Sequence, residues 1–310
     1  MTGAEQRKRA DGSYSTRWRG ISKLILRPLI RALMKHDWQG QEHFIPDGPD
    51  GGMIVAANHL SYADVLAVAL FCDQAGRYPT FLAKSTLFKI KILGPILVKL
   101  GQLPVYRGQA DAALVLRDAE TGVRDGACVV FYPEATVTRD PDKWPMVAKT
   151  GVARLALATG APVIPVGHWG AQDVLPYGSF KPHVIPRHTV RIIAGPPVDL
   201  SEFAGQPLDT PTLRAATDKI MADVAALVGK LRGEDPPAEP YHPAIARRRE
   251  RAELRKLAEA QEEENAGPAP DSRDLQPVAD GAEGPARGDD PPHVREGNGE
   301  AGPSRAAGGP

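Results

Sequence analysis

The segment MIVAANHLSYADVLAVALFCDQ, residues 53–74, predicts a β-strand that runs directly into an α-helix. Residues 53–57 are apolar at consecutive positions, as in strands that are covered on both faces. Residues 62–74 contain neither glycine nor proline and form a longer helical pattern. A buried strand followed at once by a helix is the repeating unit of α/β folds.

The same alternation continues along the chain. Further strands are predicted at residues 80–84, 103–107, 127–132, 162–167 and 189–194, with helices between them at 111–126 and 152–160. Gly160 is placed to end the second of these helices. A last helix is predicted to begin with Thr210 as its N-cap and Pro211 at its first position, and to run to about Leu231. We therefore predict an α/β fold with a mostly parallel central sheet flanked by helices.

The composition excludes several classes of protein. Of the 310 residues, 42% are hydrophobic and 25% are charged, which is typical of globular proteins. Lys plus Arg and Asp plus Glu number 38 each, so no basic excess indicates a nucleic acid partner. The two cysteines, Cys72 and Cys128, lie in apolar runs and form no disulfide framework. Because no apolar stretch approaches the ~20 residues that span a bilayer, and the first residues lack a signal peptide pattern, we expect neither a multispanning nor a secreted protein.

Composition also divides the chain into four predicted regions. Residues 1–40 form a basic amphipathic helical arm, residues 41–233 the main domain, and residues 234–264 a proline-rich linker with a charged helix. Residues 265–310 hold 8 Pro and 9 Gly, a single leucine and no aromatic residue. Such a segment buries too little apolar area to offset the entropy of ordering it, so we predict a disordered tail.

The basic arm carries an amphipathic pattern. Residues 1–36 contain nine Lys or Arg and two acidic residues. Cations at 23, 27, 31 and 35 and apolar residues at 21, 25, 29 and 33 form two stripes about 200° apart on a helix. Pro28 predicts a kink or a division into two short helices. The pattern fits a helix packed on the domain or a helix lying in an anionic membrane interface. The apolar, lysine-bearing segment 88–101 leaves the same two alternatives open.

The polar residues between the first strand and helix are the strongest candidates for chemistry. Ser61 and Asp64 have the spacing of a helix cap, and capping alone would explain Asp64. It leaves His59 unexplained. If His59 lies in the turn, its ring can fold back to hydrogen-bond Asp64, and its other nitrogen becomes a base at the carboxyl end of a strand, where α/β proteins bind ligands. Both interpretations remain open from the spacing alone.

Three further segments follow predicted strands. Arg107 lies beside Gly108 at a strand end, where a guanidinium binds phosphate or a surface carboxylate. Glu134 follows Pro133 after a buried strand and precedes Thr136, Thr138 and Arg139; this segment forms either a turn or part of a site. His168 follows the two-proline strand at 160–170, and we expect it to be a satisfied or exposed ring rather than a second base.

In this order the segments resemble the glycerophospholipid acyltransferase family, especially its lysophosphatidic acid acyltransferases. The family's N-H-x-x-x-x-D, G-x-x-x-x-x-R, F-P-E-G-T and V-x-P blocks correspond here to NHLSYAD (58–64), GQLPVYR (101–107), YPEAT (132–136) and VIPV (163–166). The resemblance covers roughly residues 35–200. Two positions depart from it, because Ala135 replaces the usual glycine and Val137 stands where many members have arginine, with Arg139 two positions later.

The resemblance implies a role for each matching residue. His59 would be the general base and Asp64 would orient it. The residues expected to bind the acceptor and its phosphate are Asn58, Arg107, Glu134, Ala135, Thr136 and Arg139. Residues 41–233 would be the acyltransferase domain, with no cofactor and no metal, and with acyl-CoA or acyl-ACP as co-substrate.

The predicted function is therefore acyl transfer to the free hydroxyl of 1-acyl-sn-glycerol 3-phosphate. The expected partners are the acyl thioester donor, the lysophospholipid acceptor and an anionic membrane surface, with no nucleic acid, and the expected location is peripheral or monotopic on the cytoplasmic face of the cell membrane. Two alternatives remain: an acyltransferase for another acceptor, such as glycerol 3-phosphate, another lysophospholipid or a glycolipid, and a non-catalytic membrane-surface protein in which His59 and Asp64 only cap a helix.

Overall fold

The computed structural model describes residues 16–44, 51–105, 109–179 and 181–265. Arg107 and the predicted tail from residue 266 onward lie outside the described residues. The strands of the described part are β1 (Lys35–Gln39), β2 (Met53–Ala57), β3 (Pro79–Lys84), β4 (Leu103–Val105), β5 (Cys128–Phe131), β6 (Val163–Trp169) and β7 (Thr189–Ala194). Its α-helices are α1 (Thr16–Leu33), α2 (Asp64–Gln74), α3 (Leu93–Lys99), α4 (Gln109–Arg124), α5 (Gly151–Thr159), α6 (Ala171–Val174), α7 (Thr210–Arg232) and α8 (Pro243–Asn265).

Across the described residues, the seven strands form one sheet in the order β1-β7-β6-β2-β5-β3-β4. Neighbouring strands are parallel, except that β7 is antiparallel to β6. The five strands from β6 to β4 therefore point the same way, while β7 and β1 run in reverse. This confirms the predicted α/β fold with a mostly parallel sheet.

The sheet is covered on both faces, as the uninterrupted apolar strands predict. All five residues of β2 are buried. Its side chains alternate between two cores, with Val55 packed in the core that contains α1 and α2, and Ile54 in the core that contains α4, α5 and α7. The fold is thus a three-layered α/β/α arrangement, and β2 is central in it.

Strand β1 was not predicted from the sequence. Lys35 to Gln39 pair in parallel with β7. Four of these five residues are exposed at the sheet edge, so the segment lacks the apolar pattern from which a strand is predicted. The predicted boundary at residue 40 therefore falls just after a strand of the sheet. The helix before it, α1, also contributes to the core through Ile30 and Met34.

Helix α1 is continuous through Pro28, so of the two predicted outcomes, a kink or a division into two short helices, the division does not occur. Both Pro28 and Leu24 are exposed, and water can hydrogen-bond the Leu24 carbonyl that the proline leaves without an amide partner. Arg27 pairs with Asp73 of α2 at 2.5 Å. One side of α1 is thereby fixed to the domain, while Leu24, Ile25 and Leu29 remain exposed.

The cap of α7 differs by one residue from the prediction. Asp209, not Thr210, is the N-cap, and its side chain accepts the Thr212 N–H at 2.9 Å. Aspartate is at least as favourable an N-cap as threonine. The prediction placed the cap at Thr210 because Pro211 follows it directly. By contrast, Gly160 ends α5 in the left-handed conformation, as predicted.

The chain divides into two compact units between Leu254 and Arg255. The first unit holds the described strands. In the described part of the second, which is the C-terminal portion of α8, Arg255 and Glu259 pair across one helical turn at 2.7 Å. No helix of the described residues is both long enough and apolar enough to cross a bilayer.

Candidate active site

The candidate site lies where β2 ends and α2 begins. Asn58 and His59 follow the last residue of β2, and Asp64 is the first residue of α2. The neighbouring parallel strands β5 and β6 bring Glu134 and His168 to the same end of the sheet. Topology alone thus collects five polar residues at the carboxyl edge of the central strand.

His59 and Asp64 form a hydrogen-bonded pair. The Nδ1 atom of His59 lies 3.0 Å from Oδ2 and 3.1 Å from Oδ1 of Asp64. Facing two acceptor oxygens, Nδ1 carries the proton, which leaves Nε2 as the basic nitrogen. The pairing agrees with the arrangement predicted from the spacing, with the ring folded back over the first helical turn.

Asp64 also holds the turn that precedes α2, where Ala63 and not Ser61 is the N-cap. Its Oδ2 accepts the backbone N–H of Leu60 at 2.8 Å and of Ser61 at 2.9 Å, while the Ser61 hydroxyl accepts the Ala63 N–H at 3.0 Å. The hydroxyl in turn donates to the carbonyl of Leu175 at 2.6 Å. Holding this turn and orienting His59 are therefore two functions of one fully buried carboxylate.

The electrostatics favour a charged Asp64 and a basic His59. Burial alone would raise the pKa of Asp64, but the charge and hydrogen bond of His59, with His168 and the Ser61 N–H, lower it. Burial would lower the pKa of His59, but Asp64, with a contribution from Glu134, raises it above its ordinary value. The pair therefore holds an ionised carboxylate next to a nitrogen of increased basicity.

Glu134 supports the loop that carries His59. Its Oε1 accepts the His59 backbone N–H at 3.0 Å, and its Oε2 accepts the Met146 N–H at 3.1 Å. Burial raises the pKa of Glu134 to about 7, against the opposing effect of these two bonds. With both oxygens occupied by backbone donors, Glu134 positions the site, which differs from the direct contact with acceptor phosphate that the resemblance implied.

Asn58 likewise holds the framework and is fully buried. Its Oδ1 accepts the His168 N–H at 2.9 Å, and its Nδ2 donates to the His168 carbonyl at 3.1 Å. The side chain thereby extends the pairing of β2 with β6 beyond the strand end. This placement differs from the substrate-binding role assigned to Asn58 from the sequence.

Aromatic rings that sequence reasoning missed surround His59. Tyr132 stacks on the His59 ring with centroids 4.3 Å apart. Burial, with the nearby Asp64 carboxylate, raises the pKa of Tyr132 well above its ordinary value, so its hydroxyl stays neutral. Two exposed rings, Tyr62 and Tyr177, lie 6.1 Å apart, and Tyr62 contacts His59 edge-on. The sequence does contain a signal for Tyr132, because this residue stands directly before the Pro133-Glu134 dipeptide of the candidate site.

The residues that follow Glu134 differ in their exposure and in their backbone conformation. Ala135 is exposed and has a φ of 60°, a left-handed conformation that favours glycine. Thr136 is half-buried and Arg139 is exposed, whereas Val137 is only 2% exposed. The usual glycine at position 135 is thus explained by backbone conformation, and position 137 points into the protein interior.

This geometry defines a class of site. Within the described residues, no group of His, Cys, Asp and Glu has the arrangement of a metal site. The histidine base is instead oriented by a carboxylate, and both cysteines are buried away from solvent. Such a pair is suited to removing a proton from a substrate hydroxyl or from water.

The segment that carries the site is similar to known acyltransferases. Residues 35–169 match the Acyltransferase family model. A chloroplastic 1-acyl-sn-glycerol-3-phosphate acyltransferase of Brassica napus is 29% identical over 182 residues, which are 57% of this chain and 49% of that protein. A 1-acyl-sn-glycerol-3-phosphate acyltransferase of Bacillus subtilis is 24% identical over 185 residues, covering 59% of this chain and 84% of that protein.

A solved structure shares the fold. The crystal structure of the 1-acyl-sn-glycerophosphate acyltransferase of Thermotoga maritima matches with a TM-score of 0.54 and 23% identity, over 71% of this chain and 81% of that one. The segment that matches the Acyltransferase family model contains β1 through β6 and the His59–Asp64 pair, and the Brassica and Bacillus relatives make it similar to glycerophospholipid acyltransferases. The chain spans about half the length of the Brassica relative.

Proposed function

We propose that this protein transfers a fatty acyl group from acyl-CoA or acyl-ACP to the free hydroxyl of 1-acyl-sn-glycerol 3-phosphate, giving phosphatidic acid. The observation that carries the proposal is the His59–Asp64 pair at 3.0 Å, placed at the carboxyl end of the central strand. The match to the Acyltransferase family model and the names of the Brassica and Bacillus relatives support acyl transfer and the choice of acceptor.

The proposed step needs no covalent acyl-enzyme. The Nε2 atom of His59 takes the proton of the acceptor hydroxyl as that oxygen attacks the thioester carbonyl, and Asp64 stabilises the imidazolium that forms. The tetrahedral intermediate then collapses. The carbon–sulfur bond breaks, and the leaving thiolate recovers the proton from His59. The products are an ester and a free thiol.

The acceptor phosphate needs cationic and hydrogen-bonding groups near His59. We assign its recognition to Arg107, to the 135–136 turn and to Arg139, which is exposed and available to an anion. A specific observation keeps another acceptor as the second candidate. Val137 is buried at the position where many members of the family have arginine. The arginine that follows it, Arg139, lies two positions later and is exposed.

We further propose that the protein works at an anionic membrane surface. The exposed apolar residues Leu24, Ile25 and Leu29 of α1 are followed by the exposed cations Arg31 and Lys35. Ile90, Ile92 and Ile96, in and just before α3, form a second exposed apolar group. Apolar side chains with flanking cations are the composition of helices that lie in a membrane interface.

A thiol-release assay tests the proposal. Purified protein is given an acyl thioester together with a panel of acceptors that includes 1-acyl-sn-glycerol 3-phosphate, glycerol 3-phosphate and a lysophospholipid without a free phosphate monoester. We expect the first acceptor to give the highest rate. A higher rate with another acceptor would assign that compound as the substrate. If no acceptor increases thiol release, the protein is a binding protein and the proposed activity is wrong.

Variants assign the step to the histidine. His59→Gln removes the base, and Asp64→Asn removes the carboxylate charge. We expect the first to abolish transfer and the second to reduce it about 10²-fold or more. His242→Gln, at an exposed histidine just before α8, is the matched control and should retain full activity. A folded His59→Gln protein with more than a few per cent of the activity would overturn the mechanism.

A further inference from the structure

His168 is a second histidine at the site to which neither the sequence nor the proposed mechanism assigns a role. It lies in β6 and is fully buried. Its Nε2 atom lies 2.5 Å from the carbonyl oxygen of Asn58 and 3.5 Å from Oδ2 of Asp64. His168 is therefore close to both the backbone that leads into His59 and the carboxylate that orients it.

The contacts define the protonation state of His168. Both groups that face Nε2 are acceptors, so Nε2 carries a proton. The Nδ1 atom is buried and has no hydrogen-bond partner among the described residues. A protonated Nδ1 would be a buried donor without an acceptor, which costs more than a bare lone pair. His168 is thus the neutral Nε2–H tautomer.

Three hydrogen bonds connect His168 with Asn58. Two of them join the Asn58 amide to the backbone of His168, and the third joins the His168 ring to the Asn58 backbone. Because Asn58 immediately precedes His59, these bonds fix the backbone from which the base projects. A side chain without an N–H donor at position 168 would lose the third bond and the approach to Asp64.

We infer that His168 is a positioning residue, a neutral hydrogen-bond donor that holds Asn58 and the Asp64 carboxylate in the orientation required by His59. Neutrality is essential to this role. A positive charge at His168 would compete with the imidazolium of His59 for the same carboxylate. Burial lowers the pKa of His168 more than Asp64 and the Asn58 carbonyl raise it, which agrees with a neutral ring.

The kinetic consequence of the inference rests on the proposed function, but its structural part does not. The groups that face His59 are Asp64, Glu134, Tyr62, Tyr132 and, through Asp64, His168. Of these, only His168 acts on Asp64 from another strand without contacting the His59 ring. Changing it therefore tests positioning without removing a direct partner of the base.

The first measurement uses the unaltered protein with ¹⁵N-labelled histidine. The ring nitrogens of His168 should show the neutral Nε2–H tautomer throughout about pH 5–9, while those of His59 titrate from a neutral Nδ1–H form. A His168 ring that becomes cationic in this range, or that carries its proton on Nδ1, overturns the inference. This measurement requires neither a variant nor turnover.

The second measurement compares two substitutions. His168→Gln retains an N–H donor near the position of Nε2, and His168→Leu retains volume without a donor. We expect Leu to lower the pKa of His59 by about half a unit or more, because a less well held carboxylate stabilises the imidazolium less, and Gln to restore most of the difference. Val166→Ala, which removes buried volume from the same strand without changing a polar group, is the control and should leave the His59 titration unchanged.

The same variants separate positioning from simple packing. The Leu variant should lower kcat about tenfold or more with either KM changed less than about twofold, the pattern of a lost contribution to the transition state. An unchanged His59 titration in folded His168→Leu overturns the inference, as does equal behaviour of the Leu and Gln variants. If the unaltered protein releases no thiol, the proposed function fails and the titrations still decide the role of His168.

Discussion

The carboxylate of Glu134 accepts the backbone N–H of His59 at 3.0 Å, and its second oxygen accepts the N–H of Met146. A residue of the motif expected to contact substrate is therefore turned inward, where it joins the loop of the base to the segment after β5. The acidic residue of this motif has a structural reason to be a carboxylate, since only a carboxylate offers two acceptor oxygens to two backbone donors.

Replacing Glu134 by glutamine is expected to destabilise the protein. The amide presents N–H groups on one side, so one backbone donor loses its acceptor at a cost of about 1–3 kcal/mol. Urea unfolding measures this loss, and acyl transfer should fall with it because the His59 loop is released. Glu202→Gln, at an exposed glutamate paired with Lys219, is the control and should change stability by less than about 1 kcal/mol. Equal effects of the two variants would contradict the role given to Glu134.

The raised pKa of Glu134 predicts a pH dependence of stability. An acid whose pKa is higher in the folded than in the unfolded protein contributes stability below its unfolded pKa and loses it as pH rises through the folded value. With a folded pKa of about 7, the unfolding free energy should fall between about pH 4.5 and 7, by up to about 3 kcal/mol from this group. The advantage of the native chain over Glu134→Gln should therefore shrink across this range. A constant difference would show that the carboxyl titrates normally.

Ala135→Gly should stabilise the protein. At a φ of 60° the alanine Cβ is strained, and glycine relieves this strain but increases the entropy of the unfolded chain. We expect a net gain of roughly 0.5–1 kcal/mol in unfolding experiments. Lys143, with a φ of 62°, offers an independent comparison, since Lys143→Gly should give a gain of the same sign. A loss of stability at position 135 alone would mean that the Ala135 side chain has contacts that outweigh the strain.

Arg139 should contribute to acceptor binding. Removing its guanidinium in Arg139→Ala is expected to raise the acceptor KM or lower kcat/KM for the acceptor several-fold, with the donor KM unchanged, because the lost charge-assisted bonds belong to one substrate. Arg107→Ala should show the same selectivity. Arg154→Ala, at an exposed arginine of α5, is the control. If Arg139→Ala behaves like Arg154→Ala, Arg139 does not bind the acceptor phosphate, and its recognition depends on Arg107.

Membrane binding should depend on the exposed apolar side of α1. The double variant Leu24→Gln/Leu29→Gln is expected to weaken binding to anionic vesicles, measured by flotation, without loss of folding, since neither side chain lies in the core. Leu254→Gln/Leu257→Gln changes two similarly exposed leucines of α8 and should bind as the native chain does. High salt should also weaken binding, through the cations. Equal flotation of both double variants would exclude α1 as the membrane contact.

The sequence predicted those elements whose information is local. The apolar runs of β2 and β5 and the glycine that ends α5 each carry their signal within a few residues, and each was located to within a residue or two. Strand β1 has no such signal. Its residues alternate charge with polarity, and only pairing with β7, far along the chain, makes them a strand.

The site shows the same division. A spacing of five residues allows the pairing of His59 with Asp64, and the resemblance to the family implied it. The inward contacts of Asn58 and Glu134 were not, because their partners at positions 168 and 146 are distant in sequence or come from loops. Resemblance to a family identifies which residues matter, whereas the direction in which a side chain points depends on tertiary contacts.

The pairing of β1 with β7 has a consequence for the order in which this chain can fold. During synthesis, Lys35–Gln39 leave the ribosome early, but their partner Thr189–Ala194 follows only after every other strand of the described sheet has been made. Until then the segment next to α1 has no edge to join, and the fold carries a contact of large sequence separation, which slows the final step. If α1 binds a membrane as proposed, the same delay gives its exposed leucines an interval in which to do so while the domain behind them is still being assembled.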